Sequence, residues 1–305
     1  MKKLLSIVFD AVLTSLILAS CQATKEQEMT GDRDLPLIES KQEERLHLPS
    51  EKDDPKEEHS FDVEESLLQE GKHGTVDLDR FNRSPVEWGE RVTGVKTHFQ
   101  TDEKEIALTF DVCGGHYGND YDAELIEFLR AEQVPATLFV NERWIHANET
   151  LFLELAADPL FQIENHGTNH APLSVNGGEA WGIAATNSVE EVYDEIMSNH
   201  QTVRNLTDRE MSLFRSGTAY YDEVAVELAE ALGYTVVNFD ILGDAGATYS
   251  SDEVKRALLQ AEPGSIALLH MNQPTSGTAA GVKEAVSVLR EKGFEFVLLE
   301  GEILR

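Results

Sequence analysis

The fold is decided by a stretch that reads EIALTFDVCGG over residues 105–115. Its apolar first part predicts a buried β-strand from Glu105 to Val112. Asp111 stands at the end of this run, and the two glycines behind it permit a tight backbone and the close approach of a ligand. An Asp in this place is either a functional carboxylate at a strand end or only a cap of the following loop.

Apolar runs alternate with amphipathic stretches from here to the C-terminus. The predicted strands are 105–112, 136–140, 161–163, 235–239, 265–270 and 295–299. The predicted helices are 121–132, 149–157, 188–206, 222–232, 251–261 and 279–292. This alternation indicates a parallel sheet covered by helices, and its length favours a closed or nearly closed barrel. The predicted fold class is therefore α/β, an irregular (β/α) barrel of about seven parallel strands preceded by a disordered tether.

The part of the chain before the barrel has a different composition. Residues 1–20 resemble a lipoprotein signal peptide, and cleavage before Cys21 would leave its thiol to carry lipid. An ordinary signal peptide that happens to contain a cysteine is the alternative. Residues 21–84 are rich in charged and polar side chains and cannot bury enough apolar surface to fold, so we predict an acidic disordered tether. The folded domain is expected at 85–305, outside the cytoplasm and anchored to a bacterial membrane through the lipid.

The charge of the chain limits its partners. The formal net charge is −31 at pH 7, which excludes nucleic acid as a partner because phosphates need a basic surface. A neutral or cationic substrate is easier to accept than a polyanion, although the charge also serves solubility alone. There are only two cysteines, so a lipidated Cys21 would leave Cys113 without a disulfide partner. Nothing in the sequence fixes the oligomeric state, and a monomer is assumed.

Histidines follow two of the predicted strands. His166 and His170, in the sequence HGTNH, can converge on one metal ion, either on one face of a helix or across a loop that turns at Gly167. Two neutral imidazoles suit zinc, cobalt or nickel. His270 ends the strand 265–270 and is either a satisfied core histidine or a proton donor. Because barrel enzymes keep their chemistry at the carboxyl ends of strands, we expect Asp111 to lie beside these histidines in a metal-assisted hydrolase site.

Together these motifs resemble the polysaccharide deacetylase family, the NodB-homology group or carbohydrate esterase family 4. The resemblance runs from about residue 93 to residue 304 and rests on the Thr-Phe-Asp strand end, the His-x-x-x-His loop, Phe214-Arg215, an Asp motif near Asp240 and Asp244, and Leu268-x-His270. It implies a glycan substrate and hydrolysis of N-acetyl groups on N-acetylglucosamine polymers such as peptidoglycan or chitin, by attack of metal-bound water. Zinc is the expected ion, with cobalt or nickel as alternatives. The implied roles are a catalytic base at Asp111, metal ligands at His166 and His170, an arginine at Arg215 that orients the base through Asp244, a substrate pocket at Leu268 and Tyr220, and a general acid at His270.

The sequence departs from the family pattern where the metal is bound. The family usually has two consecutive Asp residues, and Val112 replaces the second, which is a metal ligand. We expect Asp111 to supply the missing donor, ahead of Cys113, His116 and Glu164. The loop after Arg215 and the segment 243–248 also differ from the usual motifs. Two alternatives to an N-deacetylase therefore stay open, a non-catalytic glycan-binding protein and an O-acetyl esterase on the same scaffold, although a retained base, arginine and acid favour an enzyme.

Overall fold

The computed structural model describes residues 68–71 and 74–305 of the chain. The predicted signal peptide, Cys21 and most of the predicted tether lie outside these residues and stay predictions. Among the helices that are described, none is both long enough and apolar enough to cross a membrane.

The strands are β1 Leu68–Gly71, β2 Gly74–Asp77, β3 Glu105–Val112, β4 Ala136–Val140, β5 Phe161–Asn165, β6 Glu179–Ala180, β7 Ile183–Ala184, β8 Leu213–Phe214, β9 Thr235–Val236, β10 Ile241–Leu242, β11 Ser265–His270 and β12 Glu295–Phe296. The helices are α1 Ala123–Ala131, α2 Glu142–Ala147, α3 Glu149–Ala157, α4 Val189–Thr207, α5 Glu223–Ala231, α6 Ser251–Leu258 and α7 Thr278–Glu291, with a short 3-10 helix at Leu78–Phe81.

The main sheet is parallel and curls into a half-barrel. Its strand order is β10-β11-β3-β4-β5-β8-β9, and β12 also pairs with β3. The two ends of this order, β9 and β10, are joined by residues 237–240 alone, which can span at most about 18 Å. Seven strands laid flat would cover about 29 Å. The sheet must therefore curl, and the prediction of an irregular barrel with about seven parallel strands is confirmed.

The pleat of β3 divides its side chains between two layers. Ile106, Leu108, Phe110 and Val112 belong to the large apolar cluster that the helices share. Ala107 belongs to a separate, smaller cluster inside the curl of the sheet. Since successive side chains of a strand point to opposite faces, the odd-numbered residues of β3 face inward, which brings Asp111 and not Val112 into the barrel.

The packed part of the chain begins before residue 85. Leu78 and Phe81 are buried in the main core, and the Glu223 carboxylate on α5 accepts hydrogen bonds from the backbone N–H groups of residues 86–87. The predicted start of the domain at residue 85 is therefore too late. The last residues assigned to the tether pack in the core because they supply two large apolar side chains.

Candidate active site

Asp111 is held by a buried arginine. Its Oδ1 accepts a hydrogen bond of 2.8 Å from Nη1 of Arg215, which follows β8, and the same nitrogen donates to Thr109 Oγ1 at 2.8 Å. The other guanidinium nitrogens, Nε and Nη2, donate to the backbone carbonyls of residues 237–238, each at 3.0 Å. The guanidinium also lies 4.1 Å from the centre of the Phe139 ring. A fully buried arginine with these contacts holds Asp111 in one orientation.

Asp244 serves a different partner from the one we predicted. We expected it to link Arg215 to Asp111, but Arg215 contacts Asp111 directly. The Asp244 carboxylate instead accepts hydrogen bonds from the His270 ring Nδ1 at 2.8 Å, the His270 backbone N–H at 2.7 Å and the Thr278 hydroxyl at 2.9 Å. The expected contact is absent because Asp244 follows β10, which pairs with β11, whereas Arg215 follows β8, three strands beyond β3.

His270 is arranged to hold a proton. Burial opposes its charged form, but the Asp244 carboxylate and the neighbouring Cys113 sulfur outweigh burial and raise the pKa of His270 well above its ordinary value. With Nδ1 engaged by Asp244, the ring nitrogen left for a substrate is Nε2. The arrangement suits a general acid at neutral pH.

Beside Asp111, three side chains place one potential ligand atom each within 4.8 Å of one another, namely those of Cys113, His166 and His170. Nδ1 of His166 lies 2.9 Å from the carbonyl oxygen of Arg215, to which it donates, and this fixes Nε2 as the lone-pair nitrogen. That Nε2 lies 3.9 Å from Cys113 Sγ and 3.7 Å from Asp111 Oδ2. Nε2 of His166 thus faces both Cys113 and Asp111 with its lone pair.

The donor set fits a metal ion. Nε2 of His170 is buried and has no hydrogen-bond partner among residues 74–305, a costly state for a polar atom. The His166 and His170 rings are 5.0 Å apart between centres and nearly perpendicular. Two imidazoles and a thiol are donors that zinc accepts.

The expectation that Asp111 replaces the second Asp as a ligand stays a prediction, and the structure offers a second candidate for that place. Cys113, and not Asp111, groups with both histidines. Glu164 is used elsewhere, because its carboxylate accepts the backbone N–H groups of residues 212–213, and burial raises its pKa to about 7. His116 is exposed. The strand alternation carries the signal that was overlooked, since Cys113 stands two residues after Asp111 and Val112 only one.

Cys113 lies among three imidazoles. Burial alone would raise the pKa of its thiol, but the charge of His170 and the adjacent imidazoles of His166 and His270 lower the pKa well below its ordinary value. The thiolate is the form that binds metals and acts as a nucleophile.

The loop that presents His170 is held from two sides. His170 adopts a φ of 63°, which costs a non-glycine residue roughly 1–2 kcal/mol. The buried Glu195 carboxylate of α4 accepts the backbone N–H groups of Asn169 and Ala171. Below the loop, a Cβ at Gly217 would lie 2.3 Å from the His170 carbonyl group, so only glycine fits there. Sequence reasoning missed both supports, because a buried Glu within a helix carries no local signal of what it binds.

The two predicted pocket residues lie in different surroundings. Leu268 of β11 is nearly buried and shares its face of the strand with His270. Tyr220 instead forms an exposed cluster with two tryptophans, its ring centre lying 5.8 Å from that of Trp88 and 5.9 Å from that of Trp181. These tryptophans, which the sequence analysis missed, are 41% and 62% exposed.

Residues 98–237 match the sequence profile of the family described as polysaccharide deacetylase. The chain is 24% identical over 228 residues to an uncharacterised 30.6 kDa protein of Geobacillus stearothermophilus, a match that covers 72% of this chain and 78% of the relative. It is 25% identical over 198 residues to a peptidoglycan-N-acetylglucosamine deacetylase of Listeria monocytogenes, covering 65% of this chain and 38% of that enzyme. The match to the named deacetylase thus spans well under half of that protein.

Two solved structures from Bacillus anthracis are similar to this one. A family 4 carbohydrate esterase superposes with a TM-score of 0.54 at 25% identity, over 71% of this chain and 95% of the other. A protein described as a CE4 family pseudoenzyme superposes with a TM-score of 0.56 at 20% identity, over 70% and 68%, and a mutant of it is described as having restored enzymatic activity. The sequence profile, the relatives and the fold agree: residues 98–237 of this chain match the polysaccharide deacetylase family, and the chain is similar in fold to solved structures of carbohydrate esterase family 4.

Proposed function

We propose that the chain is a metal-dependent hydrolase that removes N-acetyl groups from amino-sugar polymers such as peptidoglycan or a chitin-like glycan. One observation carries this proposal. Asp111 and His270 are register partners on neighbouring strands, about 4.8 Å apart in the backbone, and each has its own buried support. A base and an acid set side by side, next to a cluster of metal-binding side chains, are what amide hydrolysis requires.

Asp111 acts as the base. Nη1 of Arg215 donates to Oδ1 of Asp111 and also to the hydroxyl of Thr109. The other carboxylate oxygen, Oδ2, is directed toward His166 and the cluster. Oδ2 takes the proton of the attacking water, and the buried Arg215 keeps the carboxylate from rotating.

His270 acts as the acid. Asp244 holds Nδ1, so Nε2 donates its proton to the sugar nitrogen as the C–N bond breaks. The imidazolium is stabilised before the reaction by the Asp244 carboxylate. A divalent ion held by His166 and His170, with zinc expected first and cobalt or nickel as alternatives, supplies Lewis-acid activation of the acyl carbonyl and of water.

A surface cluster of aromatic rings suits a sugar chain. Trp181 lies at the tip of the β6–β7 hairpin with a φ of 56°, a strained state for a bulky residue, and it is 62% exposed. Trp88 and Tyr220 flank it. Large rings present wide apolar faces at a wet surface, and the acidic chain favours an uncharged or cationic glycan over a polyanion.

Non-catalytic glycan binding is the second candidate. Val112 in place of the second Asp favours it, and so does the similarity to a CE4 family pseudoenzyme. A binding protein has no use for a buried Arg215–Asp111 pair beside an Asp244–His270 pair, and this favours the hydrolase. An O-acetyl esterase would use the same groups with a leaving group that depends less on His270.

The test measures acetate released from N-acetylglucosamine oligomers and from peptidoglycan by the zinc-loaded protein. We expect release that a chelator abolishes and that Asp111→Asn lowers by about 10²–10⁴-fold. No release from any of these glycans, with the ion bound and with glycan binding intact in the same samples, would favour the binding protein instead.

The cellular setting is part of the same proposal. An envelope glycan is reached from outside the cytoplasm, where a lipid on Cys21 would hold the domain at the membrane. Metabolic labelling with a fatty acid should mark the wild-type chain and not a Cys21→Ser variant. Equal labelling of both would remove the lipid anchor from the proposal.

A further inference from the structure

We propose that Cys113 is a direct ligand of the metal ion, so that the site is built from one thiolate and two imidazoles. The inference rests on the proposed metal dependence of the hydrolase. It assigns to a sulfur the place that a carboxylate has in the family pattern, and it separates the ligand from the base, because Asp111 then keeps its catalytic role alone.

The end of β3 explains why position 113 can take this role and position 112 cannot. Val112 is fully buried in the apolar cluster between the sheet and the helices. The next residue returns to the inner face, where Cys113 lies beside the rings of His166 and His170. A side chain at 112 would have to leave the core to reach the ion.

The spacing of Cys113 and His166 is close to that of two ligands of one ion. The Cys113 sulfur lies 3.9 Å from Nε2 of His166. Sulfur and nitrogen ligands of one tetrahedral zinc ion lie about 3.6 Å apart, from Zn–S bonds near 2.3 Å and Zn–N bonds near 2.05 Å. A shift of a few tenths of an ångström would bring this pair to ligand spacing, all three ligand atoms already lie within 4.8 Å of one another, and a bound ion would also satisfy the unpartnered Nε2 of His170.

The ligand count is that of a catalytic zinc site. Three protein ligands with an open fourth position are typical of zinc hydrolases, and a thiolate with imidazoles selects zinc over magnesium or calcium. Asp111 is not needed as a fourth ligand, since Cys113 and the two histidines supply three donors and the free Oδ2 of Asp111 then serves as the base. A thiolate also lowers the net charge of the ion, as the missing carboxylate would have done.

The chief rival is a nucleophilic Cys113. The sulfur neighbours His270, whose ring Asp244 orients, and such an arrangement can activate a thiol for acyl transfer. That role needs one imidazole. It does not account for His166 and His170, which converge on the same sulfur from the opposite loop, or for the nitrogen of His170 that has no partner.

The experiment uses the full-length chain with Cys21→Ser, in which Cys113 is the only thiol. The metal-free protein is titrated with cobalt(II), and the near-ultraviolet absorption is measured for a sulfur-to-cobalt charge-transfer band. Zinc affinity is measured in parallel by competition with a chelator. Cys113→Ser is the test variant, and His116→Ala is the matched control, because His116 is an exposed histidine of the same loop.

We expect the band in the parent protein and in His116→Ala and its loss in Cys113→Ser. Since changing an outer-shell partner of a metal site costs 10–100-fold in affinity, losing a direct ligand should weaken zinc binding by about 100-fold or more. Cobalt binding without the band, or equal zinc affinity in Cys113→Ser, would overturn the inference. A Cys113 acylated by an acetyl ester in the metal-free protein would overturn it in favour of the nucleophile.

These readouts do not depend on deacetylation. A sulfur-ligated ion in a protein that releases no acetate would refute the proposed function and leave the ligand assignment standing. Acetate release by a protein without the charge-transfer band would refute the ligand assignment and leave the proposed function standing.

Discussion

Replacing Arg215 by Met should destabilise the protein more than any surface substitution. The change removes the hydrogen bonds to Asp111 and Thr109 and those to the carbonyl groups of residues 237–238. It leaves Asp111, itself 5% exposed, as a buried carboxylate without a counter-charge. Breaking a buried ion pair in this way costs about 3–5 kcal/mol, and we expect a loss in that range.

A double-mutant cycle in urea separates the ion pair from simple loss of packing. Asp111→Asn removes the charge that Arg215→Met leaves unpaired, so the double variant should be less destabilised than the sum of the single variants, by about 1–3 kcal/mol. Unfolding is followed by circular dichroism at pH 7 on metal-free protein, which keeps ion binding out of the comparison. A loss under 1 kcal/mol for Arg215→Met, or strict additivity in the cycle, would refute the claim that Arg215 neutralises and fixes Asp111.

The other predictions concern separate parts of the molecule. Val112→Asp should lower thermal stability and leave zinc affinity unchanged, because the new carboxylate is buried in the apolar cluster; tighter zinc binding would show that residue 112 reaches the ion. His270→Ala should lower turnover on an acetamide by about 10²–10⁴-fold and less on an acetyl ester, with the zinc content intact; equal losses on both substrates would rule out His270 as the acid. Trp88→Ala with Trp181→Ala should raise KM for long oligomers with little change in kcat, and an unchanged KM would remove the rings from the substrate path. Burial raises the pKa of Glu164 to about 7, so the folded state binds this proton more tightly than the unfolded state. The free energy of unfolding should therefore fall by about 3 kcal/mol as pH rises from about 4.5 to about 7. Urea titrations of Glu164→Gln should lack this pH dependence.

Strong periodic signals explain why the fold could be predicted. β3, β4 and β11 have the predicted bounds because continuous apolar runs mark strands that are buried on both faces. The predicted strand 235–239 shrinks to Thr235–Val236, since the next carbonyl groups accept from Arg215. Elements of two residues, such as β8, and the short helix α2 are too small for periodicity to reveal.

The residues of the site could be predicted one by one from the sequence, but the contacts between them could not. Asp111, His166 and His270 were found because polar side chains end apolar strands. Which carboxylate meets Arg215 depends on the strand order, which places β8 and β10 on opposite sides of β3. The grouping of Cys113 with the two histidines was not predicted, because the family pattern directed attention to position 112, although the pleat of β3 points to position 113.

The most direct test of the central claim is mass spectrometry of N-acetylglucosamine oligomers after incubation with the metal-free protein, the zinc-loaded protein and zinc-loaded Asp111→Asn. The proposed hydrolase predicts oligomers that have lost acetyl groups only in the zinc-loaded wild-type sample, with at most a trace in the variant. Fully acetylated oligomers in that sample, with one zinc ion bound per chain, would contradict it.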